Sequence, residues 1–248
     1  MKIAFFEIED WETDYLKTAL GGNELFFNKE KLNKDNLPKE NDIDAISPFV
    51  GCSIDKETIE YFPNLKLITT RSTGFDNIDL EAAKEKNIAV AYVPGYGDNT
   101  VAEFAFALIL NLSRKIFDSY DRIKATGSFS LDGLRGFDLE GKTIGIVGTG
   151  RIGRHMIRIA KGFNMNVIAF DVRPDENFAK ETGFKYVAFD ELLSSSNIIS
   201  LHVPFCEETK HLINSANINK IKKGALLINT ARGCVVETDA IIKGLNEK

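Results

Sequence analysis

The sequence is short of the residues that most often mark a site. Three histidines and three cysteines are spread over 248 residues. His155, His202 and His211 make no HExxH or paired-ligand pattern, so no metal is expected. Cys52, Cys206 and Cys234 are odd in number, far apart and outside any CxxC spacing. That excludes a disulfide framework and predicts reduced thiols in a cytoplasmic protein. No apolar run approaches a membrane span, and the opening MKIAFFEIED meets acids too soon for a signal peptide. A surplus of positive charge is missing too. The net charge is −5, with bases scattered among acids, which gives no pull toward nucleic acid or anionic lipid.

What is present is length and alternation. A chain of this size with 44% hydrophobic residues can build one large core or two modest ones. KIAFFEI, AISPFV, LKLITT and IAVAYV read as strands; DWETDYLKTAL, DKETIEYF and DLEAAKEK read as helices between them. Asp55 and Asp79 stand at N-cap positions. Strand and helix in turn, without hairpin signals, predict a parallel sheet with helices on its faces. From Thr100 to about Lys124 the pattern gives way to one long helix, apolar nearly all round in its first half and so expected to be buried between domains or subunits. A loop rich in Gly, Ser and Asp follows. From Lys142 the alternation restarts with KTIGIVG, NVIAFD, NIISLHV and ALLINTA as strands. Two α/β domains are expected, residues 1–98 and 99–248, joined near Gly95 to Thr100.

The second half carries the most specific signal. Gly148, Gly150 and Gly153 form GxGxxG, enclosing Arg151 and Ile152, directly after a strand and at the start of a helix. The first glycine permits the turn, the second lets backbone approach a pyrophosphate, and the third lets helix pack on strand. The next strand ends in Asp171, where a carboxylate reaches a ribose 2′-OH and repels a 2′-phosphate. NAD is therefore expected over NADP, with Arg173 softening the preference. Further on, LLINTARGC drops Arg232 off the end of a run, Ala225 to Ile228, that reads as a strand buried on both faces. Its guanidinium is a permanent positive charge at a strand's carboxyl end, the edge that faces the nucleotide crevice.

These motifs, together with LHVP at Leu201 to Pro204, RSTGFDNIDL, and VPGYGDNTVAEFAFALILNLSR, resemble the D-isomer-specific 2-hydroxyacid dehydrogenases over essentially the whole chain, the D-lactate dehydrogenase branch most of all. The resemblance implies a flavodoxin-like substrate domain and a Rossmann NAD-binding domain, both doubly wound parallel sheets. It implies that Arg232 holds the substrate's carboxylate and keto oxygen, and that backbone N–H groups of Thr73 and Gly74 receive the carboxylate, an ordinary glycine turn being the alternative. Tyr96 matches a tyrosine near the substrate in some members; a hinge-packing aromatic is the other reading. His202, Val203 and Pro204 match a cofactor-lining turn in which His202 is not the proton donor. Thr230, Ala231 and Val101 would face the nicotinamide. Phe104 replaces a histidine common in the family and fits a purely buried helix. A homodimer through helix 100–124 is implied as well.

The family's proton-donating histidine and its glutamate lie beyond the arginine, and none of the three histidines here matches. The expectation is a chain lacking the family's C-terminal part, without the last helix of the first domain and the last strands of the second. The leading reading is reduction of a small 2-keto acid such as pyruvate to its D-2-hydroxy acid. A non-catalytic NAD(H)-binding sensor or dimerisation module is the alternative. A phosphorylated substrate would need more basic residues than Arg71, the only one in the visible loops.

Overall fold

A computed structural model describes residues 1–247, which form two compact units, Met1–Tyr96 and a second from Gly97 onward. Each contains a five-stranded sheet in which every pairing is parallel. In chain order the first unit comprises β1 (Lys2–Phe6), α1 (Asp10–Ala19), β2 (Glu24–Asn28), β3 (Ala45–Ser47), α2 (Lys56–Tyr61), β4 (Leu67–Thr69), α3 (Leu80–Glu85) and β5 (Ala89–Ala91). Its strands run β2-β1-β3-β4-β5, the flavodoxin-like order. Asp55 and Asp79 do cap α2 and α3, accepting from the backbone N–H of Thr58 and Ala82. The strand β2 escapes the sequence reading because it is an edge strand with no fully buried residue, placed one residue after Gly21–Gly22.

Strand order reverses between β1 and β3, and a side chain fills that point. Arg71, two residues past β4, donates to the carbonyls of Phe6 (3.1 Å), Glu7 (2.9 Å) and Ser47 (2.7 Å). Its Nε meets the Glu12 carboxylate at 3.2 Å, and its guanidinium lies 5.4 Å from the centre of the Phe49 ring. Such switch points are where open α/β sheets usually take ligands. Here the arginine satisfies the ends of the sheet instead, so it is not on offer to a substrate phosphate.

The second unit holds α4 (Asp98–Arg114), α5 (Ile116–Thr126), β6 (Thr143–Val147), α6 (Arg151–Gly162), β7 (Asn166–Phe170), α7 (Glu176–Thr182), β8 (Lys185–Tyr186), α8 (Phe189–Ser195), β9 (Ile198–Leu201), β10 (Leu226–Asn229) and α9 (Thr238–Asn246). Its order, β10-β9-β6-β7-β8, is that of the first five strands of a Rossmann sheet. The central strands are apolar throughout because both their faces are covered: all four residues of β9 and four of five in β6 are buried. On α6, Gly153, Met156, Ile157 and Ala160 make the buried stripe.

Two sequence expectations are corrected here. The helix expected over 100–124 is two helices, broken at Lys115, whose φ of 56° is left-handed. The Asn111 side chain accepts the Phe117 N–H at 2.9 Å, replacing the in-helix partner, and no Gly or Pro advertises the break. Within the second unit α4 buries one face, Ala102, Ala105, Phe106, Ile109 and Ser113, packed on α6, while Phe104 on another is 60% exposed in the single chain. Finally, the run Ala225 to Ile228 is not covered on both faces. β10 is the sheet edge among the described residues, and only Ile228 of that run is buried.

Candidate cofactor and substrate site

The glycine motif follows β6, and each glycine does separate work. Gly148 has φ +90°, a conformation open to glycine and strained for other residues. A Cβ there would lie 2.5 Å from the His202 carbonyl oxygen, so β6 and β9 meet at this point only because the methyl is missing. Gly153, in the first turn of α6, faces the Gly148 carbonyl so closely that no side chain fits. Gly150 is different: a Cβ there would have nothing within 4 Å. Neither folding nor φ (−65°) demands glycine at that position. The open volume lies at the N-terminus of a 12-residue helix, whose first N–H groups, at Arg151, Ile152 and Gly153, lack helical acceptors. That is the space and the polarity a pyrophosphate requires.

Around this cradle the other residues gather at the carboxyl edge of the sheet. Arg151 is exposed and ion-paired through Nε with Asp98 at 2.9 Å, the aspartate side chain being only 12% exposed at the start of α4. Ile152 packs against the core of the unit, and Val101, half-buried in the first turn of α4, bonds back to the Gly97 carbonyl at 2.9 Å. Asp171 follows β7. One carboxylate oxygen accepts the Thr149 N–H at 2.6 Å and the Thr149 hydroxyl at 3.0 Å; the other accepts the Arg173 N–H at 2.8 Å. Arg173 thus touches Asp171 through its backbone.

His202 follows β9. Its N–H donates to the Val147 carbonyl at 2.8 Å, and its Nε2 lies 2.8 Å from the hydroxyl of buried Ser200. Burial pushes its pKa down to about 4, so the ring is neutral at physiological pH. Val203 packs beside Gly148, and exposed Pro204 presents its carbonyl to the Thr209 hydroxyl.

The loop after β10 is built by a residue the sequence reading passed over. The Asn229 side chain accepts the Ala231 N–H at 3.1 Å and donates to the Arg232 carbonyl at 2.8 Å, folding the chain so that Arg232 emerges in extended geometry. Asparagine before a turn was the available signal. The Arg232 guanidinium is exposed and donates to the Ala231 carbonyl at 3.0 Å. Between them, the Thr230 hydroxyl is buried with no hydrogen-bond partner among the described residues. Such a group costs stability unless a ligand satisfies it. An open pyrophosphate cradle, a fixed carboxylate one strand away and an orphaned hydroxyl at the same sheet edge together fit a dinucleotide.

In the first unit, Thr73 and Gly74 follow β4. The loop is stiffened by Ser72, whose Oγ lies 2.7 Å from the Thr70 hydroxyl and 2.7 Å from the Gly74 carbonyl, and by Thr73, which donates to the Val93 carbonyl at 3.1 Å. The N–H groups of Thr73 and Gly74 have no acceptor among the described residues. Tyr96 closes this unit and is exposed. No group of three or more potential metal ligands occurs among the described residues, and no helix there is long and apolar enough to cross a membrane.

Comparison with known proteins follows the same lines. Residues 106–248 match the family model described as D-isomer specific 2-hydroxyacid dehydrogenase, NAD binding domain. A D-lactate dehydrogenase of Escherichia coli (strain K12) is 37% identical over all of this chain and 76% of its own length. A 2-hydroxyacid dehydrogenase homolog of Zymomonas mobilis is 39% identical, again over all of this chain and 76% of its own. Among solved structures, the D-lactate dehydrogenase of Aquifex aeolicus, complexed with NAD and lactic acid, superposes with a TM-score of 0.91. It is 38% identical, over 99% of this chain and 73% of that one.

Proposed function

Because the chain belongs to the D-isomer-specific 2-hydroxyacid dehydrogenase family, whose NAD-dependent members oxidise and reduce 2-hydroxy and 2-keto acids, we propose that it interconverts a small unphosphorylated 2-keto acid of the pyruvate kind and its D-2-hydroxy acid. The observation that carries the reading is the Asn229-built loop, which presents Arg232 at the same sheet edge as the glycine cradle. In this reading the amides around Gly148, Gly150, Arg151, Ile152 and Gly153 hold the pyrophosphate and Asp171 holds a ribose hydroxyl. Val101, His202, Val203, Pro204, Thr230 and Ala231 line the rest. The bound cofactor supplies or accepts the hydride. Arg232 fixes the carboxylate and keto oxygen, a fork of donors that stays charged at every working pH. The amides of Thr73 and Gly74 receive the carboxylate, and Tyr96 stands beside the substrate. The engagement of Arg71 with backbone carbonyls argues for an acid without a phosphate.

Delivery of a proton to the developing alkoxide needs an acid charged near neutrality. His202, with a pKa near 4, does not meet that need. This favours a second reading, a unit that binds NAD(H) and a keto acid without turning them over. One titration separates the two. The purified chain is saturated with NADH, followed by its fluorescence, and pyruvate and longer 2-keto acids are added. Stoichiometric D-lactate with loss of NADH supports the enzyme and excludes the module; saturable quenching without NADH loss does the reverse. In either case Arg232→Ala is expected to weaken the keto acid roughly 30-fold, the loss of one charge-assisted pair. NADH affinity should barely change. Equal keto-acid binding by both proteins would remove Arg232 from the site.

The partner proposed is a second copy of the chain. Phe104, Leu112, Ile116, Phe117, Tyr120 and Ile123 are all exposed on α4 and α5, a density of apolar surface rare on monomers. Sedimentation equilibrium should show a dimer, and Phe117→Asp should return the monomer; a monomeric wild type would refute the interface. The three unpaired thiols agree with a cytoplasmic setting.

A further inference from the structure

Thr149 occupies the variable position between Gly148 and Gly150, and it is buried. Behind its hydroxyl, at 2.8 Å, stands the phenolic oxygen of Tyr186 on β8, and the Asp175 N–H lies 3.1 Å from that phenol. With the Thr149 to Asp171 contacts this makes a chain of four groups. Its ends set its direction. An amide N–H only donates, and an ionised carboxylate only accepts. Asp175 N–H therefore donates to Tyr186, the Tyr186 O–H to Thr149, and the Thr149 O–H to Asp171, each hydroxyl passing its one proton forward. The far end is anchored. The Asp175 carboxylate accepts from the Phe178 N–H at 3.1 Å and from Arg154 at 2.6 Å, and Arg154 lies 4.5 Å from the centre of the Phe178 ring. Tyr186 itself packs edge-on to Phe184, 5.1 Å between centroids.

We propose that this relay sets the cofactor preference of the chain, with Tyr186 and Thr149 as positioning residues that hold the Asp171 carboxylate in one orientation. The inference rests on the reading of Asp171 as the ribose ligand. A carboxylate has about four acceptor positions. The Thr149 N–H, the Thr149 hydroxyl and the Arg173 N–H occupy three of them, which leaves one for a ribose hydroxyl. A 2′-phosphate brings only acceptors and negative charge, so it finds no donor there and a carboxylate that cannot turn away. Without the relay the carboxylate keeps its two backbone donors but loses the side-chain one, and it is able to swing aside.

The test uses fluorescence titration of NADH and of NADPH, with no turnover required, and a thermal melt of each variant. Tyr186→Phe keeps the ring packing and removes only the hydroxyl. It is expected to weaken NADH about fivefold, leave NADPH unchanged or tighter, and hold the melting temperature. Thr149→Val should narrow the NADH-to-NADPH ratio further, by about tenfold, and Thr149→Ser should restore it. Equal weakening of both cofactors, or a lowered melting temperature without a change of ratio, would reduce Tyr186 to a structural part and overturn the relay. Asp171→Ala is the control. Should it erase the preference while Tyr186→Phe leaves it intact, only the relay fails. Should it leave the ratio unchanged, the ribose role of Asp171 fails and the relay falls with it.

Discussion

Gly150→Asp is expected to abolish dinucleotide binding while leaving the fold as stable as before. The position begins α6 with an extended backbone that any residue adopts, and a new Cβ there meets no atom within 4 Å. Aspartate is moreover a better N-cap than glycine, by a few tenths of a kcal/mol. Folding therefore has no objection. Binding has two, since the side chain enters the space left for the pyrophosphate and brings a like charge to it. A pair of like charges about 4 Å apart near a protein surface repels by about 4 kcal/mol, so the NADH dissociation constant should rise about 100-fold or more. Gly153→Ala supplies the contrast. Its Cβ would collide with the Gly148 carbonyl, a backbone atom that cannot step aside, and a cost of about 1–3 kcal/mol in stability is expected. Fluorescence titration and thermal melts on the two variants decide the matter. A Gly150→Asp protein that binds NADH normally would mean that the cradle is not the pyrophosphate site.

Arg71→Met is expected to destabilise the first unit by about 3–5 kcal/mol, the cost of stripping one partner from a largely buried charged network. The arginine side chain is 17% exposed and its Glu12 partner 18%. Removal leaves the carbonyls of Phe6, Glu7 and Ser47 without this donor, and it leaves the Glu12 carboxylate without its cation. Arg71→Lys should recover only part of the loss, because a point charge with a tetrahedral head cannot serve three carbonyls that a planar fork reaches together. Hydrogen exchange at the amides following β1 and β3 is the measurement, since it reports opening of this unit by itself. If those amides keep wild-type protection, the guanidinium is a surface ornament and the switch point is held by something else.

What was legible in the sequence and what was not divide along a physical line. Gly148 and Gly153 are places where backbone meets backbone, and no residue but glycine passes there, so the requirement leaves a trace in composition. Asp171 stands at a set distance from that motif because one helix and one strand intervene. The Asp55 and Asp79 caps are local and equally readable. Tyr186 was not readable: its hydroxyl meets a partner 37 residues away, and a lone tyrosine in a two-residue strand carries no mark of that. Asn229 was hidden by its neighbours, since attention goes to the arginine it places. The break at Lys115 had no glycine or proline to announce it, and its cause is a side-chain capture by Asn111.

The glycine cradle has a consequence for acidity. What it offers an anion is backbone amides and the end of a helix, and neither has a proton to gain or lose between mild acid and mild base. His202, whose backbone carbonyl faces the Gly148 turn, stays uncharged down to about pH 4. The charge that this end of α6 presents to an anion therefore does not change as the surroundings acidify, for as long as the chain stays folded. A dinucleotide seated there as proposed would keep its phosphate hold while acid accumulates.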